Sequence, residues 1–306
     1  MTIKEIHTNS VFPLAKSLQE RIFSIPDLVD KLTFLVKSNK ILELNHLIKS
    51  KKFSEIALDV FIEVFIQITK NGLFEAVKAF ICCPKFSDIP AEDLGKGLWL
   101  SAENGHLEVV KAFICCPRFS DIPAEDLRKG LWLSAENRHL EVVETFIHCP
   151  RFSDIPAETI GRRLWVSAAR GHAQVVKALI NCPRFIDIPA EDLGLGLRNS
   201  AKNGHFEVVE ALINCPRFID IPAEDLGQRL WVSAARGHVQ VVKALINCPR
   251  FIDIPAEDLG KGLWLSAENG HLEVVKALIN CPRFSDIPAE DIQNYSTLLK
   301  MGMLKL

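Results

Sequence analysis

Apolar residues fall along this chain in short helical stripes cut off by proline. In Leu107–Ile114, LEVVKAFI, the positions Val109, Val110, Phe113 and Ile114 share one face of an α-helix. Pro117 then ends the stripe, because proline cannot continue the hydrogen-bond ladder. Upstream, Leu94, Leu98 and Ala102 recur every four residues and predict a second helical face. The Gly105-His106 step reads as the turn between the two helices. Pro90 suits a first helical turn, Asp88 reads as the N-cap, and Glu92 and Asp93 lie where negative charge suits the helix dipole. Gly95 and Gly97 interrupt this pattern, since glycine in a helix interior costs about 1 kcal/mol against alanine. Arg128, Arg163 and Arg229 fill the same positions in other copies, and a site requiring positive φ rarely accepts arginine. The pattern therefore predicts one helix from Pro90 to Glu103 rather than a loop.

The helix pair repeats every 33 residues. One copy runs from Phe86 to Arg118, and five more start at Phe119, Phe152, Phe185, Phe218 and Phe251 without an insertion. A half copy starts at Phe284. Phe53–Lys85 is a degraded copy that keeps NGLFEAVKAFICCPK and loses the DIPAED box, and residues 22–52 read as a weaker helical pair. A fixed period of this length predicts an all-α solenoid of stacked helix-turn-helix units. The expected organisation is an N-terminal helical cap over 1–52, an array over 53–283, and a C-terminal capping helix over 284–306. Terminal repeats meet water on one side, which fits Leu73 in place of histidine and the polar Gln293, Asn294 and Tyr295.

Leu263–Ile279, LWLSAENGHLEVVKALI, resembles the ankyrin repeat, whose core reads LHxAAxxGHxxVVxxLL on a 33-residue period. The resemblance covers 53–283. It implies antiparallel helix pairs stacked into a curved array that binds proteins along its concave face. Two segments depart from the family. Its TPLH is here KGLW or RRLW, and its glycine-rich GADVN turn is here PRFSDI, so the projecting β-hairpin is not expected. Long near-identical arrays also resemble those of bacteria living inside eukaryotic hosts, which implies a host-directed effector.

Composition narrows the setting. The chain has 306 residues, 48% of them hydrophobic, and a formal net charge of -2, which gives no reason to expect nucleic acid or an anionic membrane as partner. The N-terminal MTIKEIHTNSVFPLAKSLQERIF lacks the apolar run of a signal peptide. The most apolar stretch, IALDVFIEVFIQI, holds Asp59 and Glu63 and is too short to span a bilayer. Nine cysteines, an odd number, argue for reduced thiols in a cytoplasmic compartment, or in a host cytosol for an effector. A monomer is expected.

Several repeated side chains carry possible chemistry. His106, His139, His172, His205, His238 and His271 form a row, but packed helices stand about 8–10 Å apart and zinc bonds are about 2 Å long. A role in the turn is expected, with no metal and no cofactor. Cys83, Cys116, Cys149, Cys182, Cys215, Cys248 and Cys281 also recur one per repeat, too far apart for disulfides, which need Cα atoms within about 7 Å. Asp88, Glu92 and Asp93 recur as an acidic box that suits capping and surface charge better than catalysis, and Arg118 pairs locally with Asp121. Ser101 has no nucleophile elbow around it and reads as a small packing residue. Trp99, Trp132, Trp165, Trp231 and Trp264 form a ladder, either packing between repeats or an aromatic binding stripe.

Positions that differ between copies are those free to face a partner, because packing positions must stay alike. Phe86, Ile89, Pro90, Ala91, Val109, Val110 and Ile114 have the same residue in all six full copies. The pair before the turn varies: Glu103-Asn104, Glu136-Asn137, Ala169-Arg170, Lys202-Asn203, Ala235-Arg236, Glu268-Asn269. In ankyrin repeats the two residues before this Gly-His lie on the concave surface, which makes these the expected partner-binding positions. The copy at Phe185 also breaks the tryptophan stripe with Arg198 and Asn199, through drift or as a polar contact within the binding face. The expected function is a non-enzymatic scaffold with a protein partner; the rivals are a targeting module for an activity lying elsewhere and a structural spacer. Thiol titration under denaturing, non-reducing conditions should find all nine cysteines; fewer than eight contradicts the free-thiol reading.

Overall fold

The computed structural model describes residues 25–38, 40–50, 53 and 56–292. The chain divides into two compact units, one through Gly130 and one from Leu131. Every regular element among the described residues is helical and none is a strand. The first unit contains three helix pairs: α1 (Ile25–Lys37) with α2 (Ile41–Ile48), α3 (Leu58–Lys70) with α4 (Phe74–Ile81), and α5 (Ala91–Glu103) with α6 (Leu107–Ile114). Helix α7 (Ala124–Glu136) runs across the division. The second unit continues with α8 (Leu140–Ile147), α9 (Ala157–Ala169), α10 (Ala173–Ile180), α11 (Ala190–Asn203) and α12 (Phe206–Ile213). It closes with α13 (Ala223–Ala235), α14 (Val239–Ile246), α15 (Ala256–Glu268) and α16 (Leu272–Ile279). Within each unit, first helices pack on first helices and second on second: α3 on α5 and α4 on α6, then α9, α11, α13 and α15 in one row and α10, α12, α14 and α16 in another. The last helix of the expected C-terminal cap, with Gln293, Asn294 and Tyr295, lies outside the described residues, as do residues 1–24 of the expected N-terminal cap.

The stripes read from the sequence are the core. Leu94, Leu98 and Ala102 of α5 and Val109, Val110 and Phe113 of α6 are buried, and their equivalents down the chain are buried in the same way. Burying one such aliphatic or aromatic side chain contributes about 1.5–3 kcal/mol. Gly95 and Gly97 lie inside α5, as the arginines at their equivalents required. The expected N-cap is corrected. In the full copies the first helix begins at the alanine after proline; Ala91 follows Pro90 with no side-chain cap, and Asp88 ends a short 3-10 turn instead.

The PRFSDI segments fold as single 3-10 turns, such as Phe152–Asp154 and Phe218–Asp220, with no hairpin. Their arginines hold the stack together. Arg118 Nε donates to Asp121 Oδ2 at 2.9 Å, which turns the guanidinium so that Nη1 reaches the Phe86 and Ile89 carbonyls of the preceding repeat at 2.9 and 2.7 Å. Arg217 repeats this on Phe185 and Ile188, and Arg283 on Phe251 and Ile254. The guanidinium groups of Arg118, Arg184, Arg217, Arg250 and Arg283 also lie over the phenylalanine ring of the repeat before, as Arg250 over Phe218 at 5.5 Å. The local pair with Asp121 expected from spacing is therefore present, but its consequence lies between repeats.

The histidines do the same at the other end of the helix pair. His106 Nε2 donates to the Lys70 carbonyl at 2.9 Å, and His205, His238 and His271 reach Ala169, Lys202 and Ala235 at 3.0–3.1 Å. Each ring passes over the glycine of the preceding turn: a Cβ on Gly204, whose φ is +76°, would stand 2.6 Å from His238 Nδ1. Glycine is needed there twice, for its left-handed backbone and for the close approach. One turn lacks it. Arg138 takes φ +64°, and His172, which follows it in the stack, bonds the Ala135 carbonyl through Nδ1 at a longer 3.3 Å.

Burial and the neighbouring Arg138 charge hold the His172 imidazole below the ordinary histidine value of 6.5. A depressed histidine contributes stability that is complete above its unfolded pKa and is lost as pH falls through that value towards the folded one. Arg138→Gly should raise stability by about 1 kcal/mol by relieving the left-handed non-glycine residue. Its advantage over wild type should widen between about pH 7.5 and about pH 5.5, where His172 in the wild type resists protonation. Thermal melts at the two pH values check this; a variant no more stable than wild type contradicts the strain argument.

Candidate interaction surface

The positions expected to bind a partner lie at the C-terminal ends of the first helices. In the first unit, Glu103 and Asn104 close α5, and Asn104 Nδ2 donates back to the Leu100 carbonyl at 2.8 Å. In the second unit the side chains of successive repeats touch. Arg170 Nη1 and Glu136 Oε1 form an ion pair at 2.8 Å. Asn203 donates to the Ala169 carbonyl at 2.9 Å and Asn269 to the Ala235 carbonyl at 3.1 Å. Asn137, Lys202, Arg236 and Glu268 are exposed beside them and Asn199 is half-buried. The hydrogen bond and charge of Arg170 hold the Glu136 carboxyl below its usual range. Arg170 is therefore already matched, and the basic middle of the row narrows to Arg198, Lys202 and Arg236.

One turn of helix away stand the tryptophans. None is buried; Trp132 is 42% exposed and Trp264 36%. Cations of the following repeat cover them: Lys129 over Trp99 at 3.3 Å in the first unit, and Arg163 over Trp132 at 4.9 Å and Lys261 over Trp231 at 3.6 Å in the second. The ladder thus packs between repeats through cation–π contacts and still presents aromatic surface.

Arg198 breaks this pairing. Arg229 occupies the repeat position of Arg163, but where Arg163 finds the Trp132 ring Arg229 finds a like charge. It is buried, 5% exposed, and bonds Asp225 Oδ1 at 2.7 Å and Gln228 Oε1 at 2.5 Å. Burial is the main cause that lowers its pKa; Asp225 opposes the shift and Arg198 adds to it. Asp225 has turned away from its usual place. Elsewhere the equivalent aspartate sits over a helical glycine of the preceding repeat: a Cβ on Gly227 would stand 2.8 Å from Asp258 Cγ. At Gly194 the nearest atom, Asp225 Oδ2, is 3.9 Å from such a Cβ. Burial raises the carboxyl pKa of Asp192 and Asp258 in the first arrangement. Around the broken pairing lies a cavity of about 290 Å³ lined by Arg198, Lys202, Arg229, Trp231 and Arg236 with Gln228, Val232 and Ala235 between.

The remaining candidates have structural surroundings. Ser101 is buried and donates to the Leu98 carbonyl at 2.7 Å. Cys116, Cys149, Cys182, Cys215, Cys248 and Cys281 are buried, and burial pushes their thiols up, whereas Cys82 and Cys115 are exposed. Among the described residues no group of three or more His, Cys, Asp or Glu side chains is placed to hold a metal, and no helix is long and apolar enough to cross a membrane. One feature escaped the sequence reading. Ile186, Ile219 and Ile252 are 68–73% exposed at the position that is serine in the other copies, a change visible in the sequence as Ser to Ile in three successive repeats.

Stacked helix pairs bonded repeat to repeat define a helical-repeat protein. Residues 197–291 match the family model described as ankyrin repeats, in three copies. That stretch carries ankyrin repeats, and the same 33-residue unit extends upstream of it to Phe86. No curated protein matches the chain. Ankyrin repeats generally mediate protein–protein interaction rather than catalysis.

The two aspartate arrangements make a paired prediction. Gly194→Ala should be tolerated or stabilising by up to about 1 kcal/mol, the helix preference of alanine. Gly227→Ala should lower the melting temperature, because its Cβ meets Asp258. Thermal melts of the two variants check it; equal shifts contradict the close-approach reading.

Proposed function

We propose that the chain is a non-enzymatic scaffold that binds a protein partner through the row of residues before the inter-helix turns, on the face the family uses as its concave side. The observation that carries this is the contiguity of the row in the second unit. Glu136 with Arg170, Asn203 against Ala169 and Asn269 against Ala235 join three of the four steps of the row, and His238 on the Lys202 carbonyl bridges the fourth. The row varies in chemistry over a core of unvarying residues, as a recognition surface on a fixed frame would. In this reading Glu136, Asn137, Arg170, Arg198, Asn199, Lys202, Asn203, Arg236, Glu268 and Asn269 meet the partner, with Glu103 and Asn104 in the equivalent place on the first unit. The cations between Glu136 and Glu268 favour a partner with acidic groups opposite them, which fixes register more than affinity. Its place of action is the cytoplasm, or a host cytosol if the chain is an effector.

The test uses changes outside the basic cavity. A partner captured on the wild-type chain is purified, then offered a variant carrying Arg170→Glu, Glu268→Lys and Asn269→Lys. The control carries Lys177→Glu, Lys243→Glu and Lys276→Glu on the second helices. These exposed changes should each leave stability within about 0.5 kcal/mol. Binding should be lost with the first set and kept with the second; the opposite result assigns the partner to the other face.

A further inference from the structure

We infer that the cavity around Arg198 is a subsite for a phosphate monoester on a side chain of the partner. This rests on the partner-binding reading above and names the chemistry of one point within it. Arg198, Lys202 and Arg236 are exposed on its walls, and no ion pair is recorded for any of them among the described residues. Arg229, buried beside them, shares its charge with Asp225 and keeps Nε without a hydrogen-bond partner. Four cations therefore line the cavity and one carboxylate offsets one of them. A partner carboxylate would leave two cations uncompensated. A phosphate monoester, with charge near -2 and three acceptor oxygens, leaves only one cation uncompensated and suits guanidinium forks.

The cavity is also a local departure from the repeat. A tryptophan at position 198, as in the other five full copies, would give Arg229 a ring to cover, as Trp132 does for Arg163. The ring facing the cavity is instead that of Trp231, already under Lys261. At about 290 Å³ the space is large enough for one side-chain head group. One substitution thus removes an aromatic ring and adds a cation beside three others.

The test measures binding of fluorescent pentapeptides of one sequence, with phosphoserine, glutamate or serine at the centre, to the full chain. Inorganic phosphate is the fourth ligand. The phosphoserine peptide should bind and the serine peptide should not, with affinity falling as salt rises. Arg198→Trp with Asn199→Val restores the sequence of the neighbouring repeats and should weaken phosphopeptide binding by on the order of tenfold or more, the value of a charge-assisted hydrogen bond. Should that variant misfold by circular dichroism, Lys202→Gln with Arg236→Gln, both exposed, must give the same loss. Equal binding of the glutamate peptide overturns the phosphate assignment. Binding of inorganic phosphate alone overturns the side-chain source. Unchanged phosphopeptide binding in the variants overturns the site. The row variant of Arg170, Glu268 and Asn269 leaves these cations intact, so loss of partner binding there and loss of phosphopeptide binding here fail separately.

Discussion

The fold depends on one interaction: backbone carbonyls at both ends of a helix pair accept side-chain donors from the next repeat. At one end an arginine, steered by an aspartate three residues on, bonds the Phe and Ile carbonyls of the preceding 3-10 turn. At the other a histidine bonds the last carbonyls of the preceding first helix. Each repeat is therefore incomplete alone, which is why the arginine, aspartate, histidine and turn glycine recur together on one period.

That dependence makes the array legible wherever it is broken. Arg138 replaces a turn glycine, and the next histidine changes both its bonding nitrogen and its carbonyl. Arg198 replaces a tryptophan, and the consequences pass to Arg229, then to Asp225, then to the space over Gly194. Each local exception alters the following repeat, because packing and polar contacts run forward along the stack. The exposed face inherits the result as a basic cavity. Variation of surface chemistry on such a frame is how a repeat protein acquires a specific partner without a new fold.

The sequence by itself determined the fold class. Apolar stripes every four residues, proline stops and a 33-residue period without insertions left no other way to bury the faces of Leu94, Leu98, Val109, Val110 and Phe113. The absence of a hairpin followed from PRFSDI in place of a glycine turn, and the helical state of Gly95 followed from Arg128 at its equivalent. Within the chain, the copy with Arg128 in place of glycine is followed by the copy with Thr159 in place of aspartate. Only the structure explained why glycine and aspartate go together: elsewhere the aspartate of one repeat lies against the glycine of the repeat before. The same holds for the arginines, which spacing paired with Asp121 and the structure paired with the preceding repeat. Local spacing specifies what a side chain can reach within its own repeat. Contacts between residues about 30 positions apart depend on the distance and rotation between repeats, which side-chain packing sets, and so Asp88 was misread as a cap and the cavity at Arg198 went unseen.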